Sequence, residues 1–123
     1  MALCHFSTMN MIKLKTKIWL EKDGELIFGE GRLRILKGIE KSKSISQAAH
    51  RLNMSFRHAW SYINSVEKTL GIRLLERKRG GKGGGGSRIT PQAKKIMKKF
   101  EHLNQAVKEF ADKKFRKVFN GKF

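Results

Sequence analysis

Hydrophobic and polar positions alternate from Lys13 onward: Leu14, Thr16, Ile18 and Leu20 fall on one side, with Lys13, Lys15 and Lys17 opposite. Asp23-Gly24 follows, then the short run Glu25-Leu26-Ile27-Phe28. Alternation, an Asp-Gly turn and a second apolar strand predict a β-hairpin. The period then lengthens, and Leu33, Ile35, Leu36 and Ile39 make one apolar side of a helix over Gly31–Lys41. Ser44 and Gln47 have the spacing of a capping box, in which each side chain satisfies a free N–H of the helix start. Ile45, Ala48, Ala49 and Leu52 recur at i, i+3, i+4 and i+7, one face of a short helix. Asn53-Met54 interrupts it, because Asn tolerates the left-handed backbone of a tight turn. Small Ala49 beside the turn permits a close crossing, and Met54 can plug the corner. Ser55 is a natural N-cap for a third helix, whose buried stripe is Ala59, Ile63, Val66 and Leu70 and whose closing residue is Gly71. A short capped helix, a tight turn and a longer capped helix predict a helix-turn-helix, although an αα-hairpin in a bundle has the same pattern.

Ile72–Arg77 reads as a strand and Ser87–Thr90 as its partner, with Gly80-Gly81-Lys82-Gly83-Gly84-Gly85-Gly86 between them. That layout after a helix-turn-helix is a wing; a solvated linker between two halves is the alternative. Thr90-Pro91 opens a last helix, with Thr as N-cap and Pro where its missing N–H costs nothing. Ala93, Ile96, Met97, Phe100, Leu103, Val107, Phe110 and Ala111 keep three-or-four spacing along it. From Pro91 to Lys117 it would run roughly 40 Å, which implies a partner helix from a second copy. The alternative is a helix packed wholly on its own domain. The expected class is α+β, mostly α: a winged helix-turn-helix with an N-terminal β-hairpin and a long C-terminal dimerisation helix. The expected domains are a flexible leader over 1–12, the winged helix-turn-helix over 13–90, and a dimerising helix with a basic tail over 91–123.

Composition sharpens this picture. The 123 residues carry 28 Lys+Arg against 10 Asp+Glu, a formal net charge of +18. Such an excess points to a polyanion, either nucleic acid or an anionic membrane surface. Residues 1–70 hold 12 basic and 6 acidic side chains, and residues 71–123 hold 16 and 4, so most of the excess follows Gly71. The single cysteine, Cys4, allows neither an internal disulfide nor a cysteine-based zinc site. Without an 18-residue apolar run or a signal-peptide pattern, a cytoplasmic protein outside the membrane is expected.

The candidate chemistry is recognition of double-stranded DNA. Opposite the buried stripe of the third helix stand Ser55, Phe56, Arg57, His58, Ser61, Tyr62 and Ser65. The planar fork of Arg57 can bond guanine O6 and N7 together, and Phe56 can lie against a thymine methyl. Ser55, His58 and Ser61 can bond bases or phosphates, and Tyr62 either reaches a phosphate or packs. Ser46 and Gln47 suit a phosphate oxygen. Trp60, beside the apolar stripe, reads as core. On and beside the Gly-rich loop, Arg77, Lys78, Arg79, Lys82 and Arg88 supply charge that adds affinity and salt dependence. That loop is expected to be disordered in the free protein and to order on DNA. Ile96, Met97, Phe100, Leu103, Val107 and Phe110 are the expected homodimer interface.

The stretch Ser44–Thr90 resembles the winged helix-turn-helix of molybdate-responsive (ModE-type) transcription regulators and, more distantly, the DNA-binding domain of LysR-type regulators. The residues that carry the likeness are Ser44-Ile45-Ser46-Gln47-Ala48-Ala49, the Ala59-Trp60 pair and the glycine-rich tip Gly80–Gly86. The hairpin and first helix fit the same family, so the resemblance extends from about Lys13 to Phe110. It implies DNA binding and dimerisation. Family members of full length carry C-terminal oxyanion-binding domains, and a chain ending at Phe123 has no room for them, so no molybdate binding is expected from this chain alone.

Other chemistry is not supported. Gly81–Gly86 satisfies G-x-G-x-x-G by composition, but Ser87–Pro91 intervene before the helix and no βαβ unit is apparent. The Walker pattern fails because Gly83 follows Lys82. His5, His50, His58 and His102 are scattered, and no catalytic pair or metal cluster appears. Neither an enzyme, a cofactor nor a metal is expected. The rivals to a sequence-specific regulator are a nonspecific architectural DNA- or RNA-binding protein and a membrane-surface protein using its Lys-rich last helix.

Overall fold

The computed structural model describes residues 12–78 and 86–120. The chain begins with an antiparallel hairpin of β1 (Trp19–Lys22) and β2 (Glu25–Gly29). Asp23 and Gly24 both have positive φ (53° and 82°), as a two-residue hairpin turn requires. The strand predicted from Lys13 starts only at Trp19. Gly29 is the last residue of β2 and leads straight into a helix, so Trp19↔Gly29 is the final pair and nothing in this sheet remains for residues 13–18 to bond. A bulge sets Leu20 against Phe28 and Glu21 against Leu26, and Phe28 is fully buried.

Three helices follow: α1 (Glu30–Ser42), α2 (Ile45–Arg51) and α3 (Phe56–Leu70). Ser44 Oγ accepts from Gln47 N at 3.1 Å, the expected half of the capping box. The other half comes from Ser42 instead, whose Oγ accepts from Ser44 N at 3.2 Å. Two helices approach closely at Gly38, where a Cβ would stand 2.9 Å from Ala48 Cβ. Asn53 takes the left-handed conformation (φ 55°), and Met54 N donates to Ala49 O at 3.0 Å, closing the turn between α2 and α3. Ser55 Oγ caps α3 by accepting from His58 N at 3.0 Å, and Gly71 (φ 66°) ends it.

The second hairpin pairs β3 (Leu75–Lys78) with β4 (Gly86–Ile89), Leu75 opposite Ile89. The strand predicted from Ile72 starts at Leu75, because its partner runs out at Thr90, which leads into the next helix; the Thr90 hydroxyl donates to Arg73 O (2.6 Å) and its N–H to Leu74 O (3.0 Å). The same Thr90 Oγ1 accepts from Ala93 N at 3.0 Å and so caps α4 (Pro91–Phe119). Ser87 N donates to Lys43 O at 3.0 Å, fastening β4 to the loop between α1 and α2.

Residues Ile18–Phe100 form one compact unit. Its core joins Phe28 to the inner faces of α1, α2 and α3, to Leu74, Leu75 and Ile89, and to Ala93, Met97 and Phe100 of α4. The Phe28 and Phe100 rings meet edge to face, 5.1 Å between centroids. The later part of α4, from Glu101, belongs with residues 12–17 to a second unit. There Leu14, Phe110, Ala111, Phe115, Val118 and Phe119 help to line an apolar hollow of about 340 Å³.

Candidate nucleic-acid interface

Successive residues of a helix turn by about 100°, which sorts the first half of α3 into four columns. Ala59, Ile63 and Val66 face the core and are buried. Arg57 and Ser61 stand opposite them on the crest, both exposed. Phe56 and Trp60 form one flank and His58 and Tyr62 the other. The residues at the start of the helix are held there by the Ser55 cap and the Asn53 turn.

On the first flank, Arg77 of β3 lies over the Trp60 ring, 5.8 Å from its centroid. Ser44, Ser46, Phe56, Trp60, Arg77 and Ser87 border an open cleft of about 280 Å³ between the helix-turn-helix and the wing. Three hydroxyls, a guanidinium and two aromatic faces thus line one groove. On the second flank, the His58 ring meets Tyr62 edge-on at 4.6 Å. The Arg32 guanidinium, from α1, lies over the same Tyr62 ring at 4.5 Å. Burial lowers the Arg32 pKa from its ordinary value, an effect that Tyr62 opposes.

A model of the bacterial regulatory helix-turn-helix protein, lysR family, matches residues 31–94, from α1 through the wing into the start of α4. This chain belongs to that family. The LysR-family chain is 36% identical over 74 residues to the transcriptional regulator ModE of Haemophilus influenzae, covering 60% of this chain and 29% of the relative. It is 38% identical over 74 residues to the DNA-binding transcriptional dual regulator ModE of Escherichia coli, covering 60% and 28%. It therefore spans less than a third of the length of these relatives. A solved structure of similar fold is the complex of the CbnR DNA-binding domain with DNA, at a TM-score of 0.56 and 18% identity over 72% of this chain and 95% of that one.

Within this LysR-family domain the expected contact residues fall into place unevenly. Ser46 and Gln47 on α2, and Ser55, Phe56, Arg57, His58 and Ser61 at α3, are all exposed. Ser55 Oγ accepts one bond as the helix cap, which leaves its O–H and a second lone pair for a ligand. Tyr62 is half-buried against the core. On the wing, Arg77 and Arg88 are exposed, and Lys78 is paired through its backbone with Gly86. The Lys78 side chain, Arg79, Lys82 and the loop 79–85 lie outside the described residues.

Two corrections follow. Trp60, read as core, is 37% exposed, because its column lies one step off the buried stripe and faces the cleft. Met97 and Phe100, read as dimer interface, are core residues, 4% and 2% exposed, since the first turns of α4 pack on their own domain. Ile96 is half-buried against that core, Val107 is partly exposed, and Leu103 and Phe110 are exposed. Arg32, which joins the Tyr62 flank of α3, is not marked by the sequence. Its only local signal is a polar position on the rim of an apolar helix face, which every surface arginine shares.

Proposed function

We propose that this chain is a sequence-specific double-stranded-DNA-binding transcription regulator acting as a homodimer on an inverted-repeat site. The observation that carries the reading is the crest of α3, where Arg57 and Ser61 stand exposed opposite the Ala59/Ile63/Val66 stripe in a chain of the lysR helix-turn-helix family. A recognition helix enters the major groove by its N-terminal part while the preceding helix crosses the backbone. In this arrangement Arg57 bonds a guanine edge, Phe56 and Trp60 offer apolar faces to thymine methyls or deoxyribose, and Ser55, His58, Ser61 and Tyr62 donate to bases or phosphates. Ser46 and Gln47 hold one phosphate strand from α2. Arg77, Lys78, Arg79, Lys82 and Arg88 add sequence-independent affinity from the wing.

Support for the homodimer comes from α4. Ile96, Leu103, Val107 and Phe110 share one face at about 100° per residue, and Phe110 is 69% exposed. Two copies joined there place one α3 per half-site, with centres roughly 34 Å apart or a multiple of it. The reading assigns the chain no catalysis, cofactor, metal or membrane partner, and it puts the site of action in the cytoplasm.

The test is selection of bound duplexes from a random library at fixed salt. An enriched palindrome supports the reading. A pool that stays random overturns it in favour of nonspecific architectural binding, and sedimentation of the duplex complex as a single copy overturns the dimer.

A further inference from the structure

An α-helix with its side chains is roughly 10–12 Å across and the major groove is about 12 Å wide. A helix seated there therefore has a phosphate strand along each flank. On the wing flank of α3 the chain presents Arg77, resting on Trp60. On the far flank α3 itself offers only His58 and Tyr62 near its start. The missing full charge comes from another helix: Arg32 of α1 lies on the Tyr62 face at 4.5 Å, while His58 meets the same ring from its edge. The two flanks are thus built alike, each an arginine from a neighbouring element resting on an aromatic residue of α3.

The surroundings of Arg32 suit an anion that none of the described residues supplies. Its Nε is buried with no hydrogen-bond partner among the described residues. Its near neighbour is an aromatic ring rather than a carboxylate. A partly buried cation without a counter-charge is costly to keep for stability alone, since an apolar residue of similar size would fill the space better. Stacking fixes the guanidinium plane beforehand, so little freedom is lost when its outer nitrogens bond an oxyanion.

We infer that Arg32, resting on Tyr62 beside His58, holds a DNA phosphate on the flank of α3 opposite the wing, so that the recognition helix is gripped from both sides. This rests on the reading of α3 as the major-groove helix. Arg32 is a backbone contact in this scheme and carries no sequence information.

The experiment measures the affinity of the full chain for its selected duplex across a salt series, for the unaltered protein, Arg32→Gln and Arg32→Lys. Each phosphate contact contributes about 0.9 to the slope of log affinity against log salt. Arg32→Gln removes one contact from each copy of the homodimer, so it should lower that slope by about 1.8 and weaken binding about sixtyfold at about 0.1 M salt, equally for every duplex. Arg32→Lys should keep the slope. An Arg32→Gln slope equal to that of the unaltered protein overturns the inference and leaves Arg32 as packing. If Arg32→Gln does not fold, the buried Nε–H of the unaltered protein, followed by NMR, should shift on adding duplex, and an unmoved signal overturns the inference as well. An unaltered protein that binds selected and random duplexes alike overturns the reading of α3, an outcome distinct from an unchanged slope.

Discussion

Glu67, in the last turn of α3, holds the base of the wing. Its Oε2 accepts from Leu74 N at 2.8 Å and from Leu75 N at 3.4 Å, and both leucines are 1% exposed. Glu67→Ala strands both amides. A hydrogen bond to a charged group contributes about 1.5–3 kcal/mol, and a buried donor left unmet costs about 1–3 kcal/mol. These are two views of one loss, and the 3.4 Å contact is at the weak end, so about 2–3 kcal/mol is expected for Glu67→Ala. Glu67→Gln keeps an oxygen at the same reach without the charge and should cost about 1 kcal/mol. Against a total stability of about 5–15 kcal/mol the alanine effect is large. Urea unfolding of the full chain followed by far-UV circular dichroism gives both values, provided the denaturant slope is unchanged. Glu67→Ala within about 0.5 kcal/mol of the unaltered protein would refute the reasoning: water would then be satisfying the two amides, and α3 would not be what fixes the wing.

Five further outcomes are expected. Ser55→Ala removes the acceptor of His58 N and should cost about 1 kcal/mol in the same unfolding assay. Gly38→Ala must move Ala48, whose Cβ would lie 2.9 Å away, and should lower stability by about 1 kcal/mol or more; Gly31→Ala meets nothing and should raise it by about 0.5 kcal/mol, both read as shifts in melting temperature. Arg57→Ala should lose about 1–3 kcal/mol of discrimination at one base position of the selected duplex, measured by competition with single-base variants. Phe110→Glu charges a 69%-exposed apolar position and should sediment as a single copy with secondary structure intact in circular dichroism.

The legible parts of this fold are those decided within a few residues. Ser44, Ser55 and Thr90 cap amides three positions on, and Asn53, Gly71 and Asp23-Gly24 answer local demands for left-handed backbone. Errors arose where a distant element decides. The length of β1 depends on where β2 runs out, and nothing in Lys13–Ile18 records that. The far half of the capping box went to Ser42 because the tight loop between α1 and α2 brings its hydroxyl to Ser44 N, ahead of Gln47. Whether Trp60 is core depends on what covers one edge of the α3 stripe, and the wing leaves a cleft there. The α4 apolar stripe is continuous in sequence, yet Met97 and Phe100 face the domain's own core while Leu103 and Phe110 do not. The crest of α3 was legible because a buried stripe defines its own opposite face. Arg32 was not, since the ring it rests on lies thirty positions further along the chain.

The central claim is that α3 reads base sequence while the surrounding charge supplies grip. It is tested most directly by the ratio of dissociation constants for random and selected duplexes, measured with the full chain at one near-physiological salt concentration. A sequence-reading helix predicts a ratio of about 10³ or more, falling when Arg57 is replaced by alanine. A ratio near one, with the same steep salt dependence for both duplexes, would contradict it and leave the charge as the whole of the binding.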